Sequence, residues 1–142
     1  MPASPSDSSK RLSILIIAFM AVGTSAELIL LGHYEDTWQW IPIVLLGVSL
    51  ASFGLLLRKR GPHVTRLFNG LMLACGLSGI LGAYFHLRAN WEFEVELYPT
   101  HSNWAHFTES LSGAIPALAP GSMVVFGLLG ILYTIQIKNK HT

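Results

Sequence analysis

Apolar residues gather into four long runs, 12–34, 38–57, 67–87 and 115–137, and the segments between them carry most of the charge. Each run is near the ~20 residues that a helix needs to cross hydrocarbon. The pattern predicts an all-α integral membrane protein, a four-helix bundle folded as a single transmembrane domain over 1–142. Around the spans it leaves a Pro/Ser-rich, disordered N-terminus (1–10), a tight basic loop with Gly61-Pro62, and a long connection over 88–114. Glu35-Asp36-Thr37 is a short turn in which Asp36 or Thr37 would cap the second helix.

Composition agrees with this reading, since 51% of the residues are apolar and 12% are charged, outside the usual soluble range. Lys10 and Arg11 precede the first run in the manner of a signal peptide, but the apolar stretch continues through Leu31 and is too long for a typical signal core. It is expected to remain as an uncleaved first span. The single cysteine, Cys75, excludes an intramolecular disulfide and sits among small residues that suit helix packing.

The net charge of +1 conceals a segregation. Lys10, Arg11, Arg58, Lys59, Arg60, Arg66, Lys138 and Lys140 fall on one side of a four-span chain, and Arg88 alone on the other. Positive charge marks the cytoplasmic side, so both termini are expected there, in a bacterial-type inner or plasma membrane. Glu35, Asp36, Glu92, Glu94, Glu96 and Glu109 fall on the outer side. Orientation accounts for the basic face, so nucleic acid is not implied.

The outer connection is longer than a compact protein keeps without function. Within it, W-E-F-E-V-E-L at 91–97 alternates with period two, the pattern of an extended strand with Glu92, Glu94 and Glu96 on one side. Ser102 or Asn103 would then cap a short amphipathic helix from Trp104 to Leu111, with His106 and Glu109 three apart on one face.

An internal echo locates the candidate chemistry. At an offset of 53, Ala21, Gly23, Ser25, Leu28, His33 and Trp38 match Ala74, Gly76, Ser78, Leu81, His86 and Trp91. The second spans echo as well, Ile41-Pro42 with Ile115-Pro116 and 53–56 with 126–129. The chain therefore reads as a duplicated two-helix hairpin with a pseudo-twofold axis along the membrane normal. Stepping back from His86 gives Gly82, Gly79, Ser78 and Cys75, a face of small residues suited to close helix packing. The equivalent steps from His33 give Ile29, Ala26, Ser25 and Val22. Symmetry would bring His33 and His86 to one axis at one depth.

Two histidines on facing helices are the minimum for a bis-imidazole haem or a metal anchor. His101, His106 and Glu109 would extend the set to four imidazoles and a carboxylate, suited to zinc, copper or iron. Against this, histidines at helix C-termini are favoured by the dipole, and four outer tryptophans are what an aromatic belt supplies. Glu27 is an acid inside a span, costing about 2.5–3.5 kcal/mol on insertion scales, and such residues tend to face a cavity or a partner as co-ligand or proton carrier. On a regular helix it points about 120° away from His33.

Three functions fit these residues. One is a metal- or haem-binding protein with a redox or metal-handling role, its site at the outer face. A second is a non-catalytic accessory or assembly subunit of a larger membrane complex, or a homodimer, docking through the long connection. The third is a small proton-coupled transporter using Glu27, a plan similar to that of small multidrug transporters, although the charge bias and the large outer connection depart from it. No catalytic triad, phosphate loop or dinucleotide fingerprint is present.

Overall fold

The computed structural model describes residues 5–138. The described chain is helical and without strands: α1 (Pro5–Leu30), a 3-10 turn (Thr37–Gln39), α2 (Trp40–Arg58), α3 (Pro62–Leu97), α4 (Asn103–Leu111) and α5 (Gly121–Lys138). Four of these helices are long and apolar enough to cross a membrane, as an integral membrane protein requires. α3 packs on α5 most extensively, α2 lies against α3, α1 lies against α5 and α2, and α4 sits on α3.

Several boundaries differ from those the sequence pattern predicts, each for a local physical reason. α1 already begins at Pro5, within the stretch expected to be disordered; residues 1–4 lie outside the described residues. A proline at the first helical position loses no hydrogen bond there. α1 ends at Leu30 because Gly32 turns left-handed (φ 67°). Asp36, one of the two expected caps, stands at the N-cap of the 3-10 turn that runs into α2, and there the Gln39 carboxamide oxygen accepts from the N–H groups of Glu35 (2.8 Å) and Asp36 (3.1 Å).

The largest departure is at 91–97, which is helix and not strand, so α3 continues ten residues past the expected end of its span. A lone strand would leave its ladder N–H and C=O groups unpaired, whereas a helix pairs them internally. Arg88 and Glu92 add an exposed ion pair one turn apart (2.7 Å). At 100° per residue, Glu92, Glu94 and Glu96 do not share a side. The connection to α5 consequently begins at Tyr98, and α5 begins at Gly121 rather than at Ile115. Within the connection, Ser102 Oγ accepts from Ala105 N–H (3.2 Å) and caps α4.

Small residues let α3 and α5 approach closely. A Cβ on Gly127 would lie 2.5 Å from the Met72 carbonyl oxygen, and one on Gly79 would lie 2.7 Å from that of Pro120. Gly130 makes room for the Met72 thioether. Around this contact lies the core of Ile17, Leu46, Phe53, Phe68, Met72, Phe126 and Tyr133. Phe53 stacks on Phe68 (5.5 Å) and meets Tyr133 edge-on (5.3 Å). The internal echo falls on helix at Ala21 to Leu28 and Ala74 to Leu81, but its ends differ in local structure: His33 and Trp38 lie in turns while His86 and Trp91 lie within α3, and Pro42 is in α2 while Pro116 precedes α5.

Candidate functional site

His33 is placed by a turn rather than by a helix face. Gly32 N–H bonds back to Ile29 O (3.1 Å) and His33 N–H to Leu28 O (2.8 Å), the two closing bonds of a Schellman C-cap. The left-handed glycine folds the chain across the end of α1, leaving His33 half-buried. The face expected below it is not packed, since Val22 and Ile29 are 58% and 54% exposed.

His86 is placed by the small-residue face of α3. Gly79 and Gly82 leave space for Pro120, where a Cβ on Gly82 would come within 2.9 Å of the proline ring. This draws the segment before α5 onto α3, and the Pro116 carbonyl meets His86 Nδ1 at 3.0 Å. A carbonyl can only accept, so Nδ1 is the donor, and in the neutral imidazole this tautomer leaves Nε2 as the acceptor. The His33 and His86 rings then stand 6.3 Å apart, edge to face at 67°. Burial, and secondarily the neighbouring His86, hold the His33 imidazole below its ordinary pKa and favour its neutral form.

Asn90 fixes this arrangement from one turn further along α3. It is buried; its Nδ2 donates to Ser110 O (2.9 Å) and Ile115 O (2.6 Å), and its Oδ1 accepts from Ile115 N–H (3.1 Å). Gly113 has no Cβ because one would lie 2.5 Å from the Asn90 side chain. One side chain thus ties the end of α4 and the start of the return segment to α3. The sequence carried a signal for it, since Asn90 lies four residues beyond His86 on the continued face of Cys75, Gly79 and Gly82. Ending the helix at 87 concealed it.

The remaining candidates fall elsewhere. His101 stacks on Tyr98 (4.9 Å) and lies 6.0 Å from His106, whose ring meets Trp91 edge-on at 5.8 Å. His106 is buried, with Nδ1 lacking a hydrogen-bond partner. Glu109 is exposed on α4. Glu27 is exposed on α1 and does not face the bundle interior, unlike the cavity-facing orientation usual for an acid in a span. The four candidate histidines therefore form two pairs. Among the described residues, no three His, Cys, Asp or Glu side chains gather closely enough to hold a metal ion between them. Comparisons with protein-family profiles, curated proteins and solved structures return no match.

Proposed function

We propose that the protein binds a transition-metal ion (zinc, copper or iron) or haem through His33 and His86 and serves a redox or metal-handling role in the membrane. The observation that carries this reading is the imidazole pair at 6.3 Å, with Nδ1 of His86 on a backbone carbonyl. Metal-bound histidines typically donate their other ring N–H to a carbonyl or carboxylate, which fixes the ring and leaves the second nitrogen for the metal. Because the pair supplies two protein ligands, a haem or an open-coordinated ion suits it better than a closed structural site. His101 and His106, with ring centroids 6.0 Å apart, form a second, separate pair that would deliver or share the ion. In this reading the termini are cytoplasmic, the histidine end is the outer one, and the match of His33 to His86 reflects a duplicated hairpin.

An optical spectrum and metal analysis of the purified protein test the proposal. A Soret band or stoichiometric metal is expected in the native chain and not in His86→Ala, while His63→Ala, at the opposite end of α3, retains it. Absence from the native chain, or survival in His86→Ala, refutes the proposal.

A second reading, an accessory subunit of a larger complex, is favoured by Glu27, which is exposed on the same helix as Phe19 (78%) and Leu30 (86%). A carboxyl there is costly against lipid and is relieved by a polar group on a neighbouring chain. It predicts that a larger protein co-purifies with the native chain and is lost in Glu27→Leu. The transporter reading gains nothing from this outward placement.

A further inference from the structure

The basic end of the molecule holds a cleft that the histidine site does not involve. It has a volume of about 550 Å³ and lies between the start of α3 and the end of α5, with the residues that follow α2 at its rim. Its charged lining is Arg60, Arg66 and Lys138, and no carboxylate lines it among the described residues. These three cations form no ion pair among the described residues, in contrast to Arg88, which is neutralised by Glu92. Like charges facing one cleft repel one another, and nothing in the lining offsets them.

The floor is polar and already ordered. Thr134 is buried and its Oγ1 lies 2.9 Å from Asn69 Oδ1 and 2.8 Å from the Ile131 carbonyl oxygen, two acceptors for its one proton, so Thr134 and Asn69 give the cleft a polar floor. Thr65 lines the cleft one turn earlier on α3, its hydroxyl donating to Gly61 O (3.1 Å). Gly61 and Pro62 border the cleft, so the N-terminus of α3 contributes its partial positive charge. Ile135, which lines the same cleft, is half exposed along the apolar flank of α5, giving an acyl chain a surface to follow. Three cations, the Asn69 carboxamide and a helix N-terminus converge on this cleft.

We infer that this cleft binds a phosphate-bearing anion, either the headgroup of an anionic phospholipid or free phosphate. Basic pockets between membrane helices on the cytoplasmic side take anionic headgroups, because the fixed cations replace the counterions of the phosphate and apolar walls accept the chains. The inference stands apart from the histidine site, and neither depends on the other. It places an anion between α3 and α5 at the end opposite His86, where it would brace the helix pair that positions that residue.

The test is native mass spectrometry of the full-length protein in detergent, titrated separately with phosphatidylglycerol, phosphatidylcholine and inorganic phosphate. The native chain is expected to retain phosphatidylglycerol over phosphatidylcholine. Each cation near the surface is worth about 1 kcal/mol, about fivefold in affinity, so combined Arg60→Gln, Arg66→Gln and Lys138→Gln should weaken retention about a hundredfold. Arg58→Gln with Lys59→Gln, outside the cleft, should leave it unchanged. Retention that excess inorganic phosphate cannot displace identifies the lipid headgroup as ligand; displacement, or phosphate binding on its own, identifies the free anion. Equal retention of the two lipids without phosphate binding, an unaffected triple variant, or equal loss in the control pair overturns the inference. Should the triple variant fail to fold, Arg66→Gln alone carries the test, with unchanged retention counting against it.

Discussion

α3 and α1 each end their apolar course at a histidine, yet they hold it in different ways. From Phe68 through Met72, Cys75, Gly79 and Gly82 to His86, one face of α3 is in contact with its neighbours at every turn. α1 buries Ile17 and Ala21 and then turns outward, so that Val22, Ile29 and Leu30 are exposed and His33 reaches its partner only through the turn at Gly32. His86 is therefore positioned by backbone-to-backbone packing over some 25 Å of helix, at ~1.5 Å per residue, and His33 by a single left-handed residue. The two halves of the pair should differ accordingly in how they respond to mutation.

The largest contrast is expected from the same substitution made in each helix environment. Gly127→Ala would drive a Cβ against the Met72 carbonyl, backbone that cannot swing away, and should destabilise the protein by about 1–3 kcal/mol. Gly23→Ala on α1 meets nothing within 4 Å and should stabilise the helix by up to about 1 kcal/mol. Reversible unfolding of the two variants in the same bilayer or micelle checks the sign, and equal effects would break the comparison.

Asn90→Ala should cost about 2–3 kcal/mol, because the buried groups of Ser110 and Ile115 that it satisfies lose their partner. Hydrogen exchange should then rise over 110–116 and leave the turn at Gly32 unaltered. A smaller loss, about 1–2 kcal/mol, is expected for Gly32→Ala, where the space is open but the left-handed backbone opposes a Cβ. This variant should disturb the His33 imidazole resonances while those of His86 hold.

The membrane spans were legible in the sequence because bilayer thickness sets their length directly. Their faces were less so. A helix apolar on all sides has no stripe to show which way it points, so nothing in α1 announced that Glu27 would be exposed. The extent of α3 was hidden by the alternation at 91–97, which fits a strand until one asks where the strand would pair. Asn90 disappeared from view with it, although the spacing from Cys75 to His86 leads to it. The approach of His33 to His86 could be reached from the repeated histidine, but not the route, since the offset implies matching helix faces and the structure uses a glycine turn. Arg60, Arg66 and Lys138 read as orientation signals, and their convergence on one cleft required the packing of α3 on α5.

The central claim is that the paired imidazoles of His33 and His86 are ligands. It is tested most directly by the optical spectrum and metal content of the native chain beside those of His33→Ala and His86→Ala, each purified without chelator at neutral pH. The account predicts a haem band or stoichiometric metal in the native protein and its loss in both variants; a native protein without either, or a signal that survives either substitution, would contradict it.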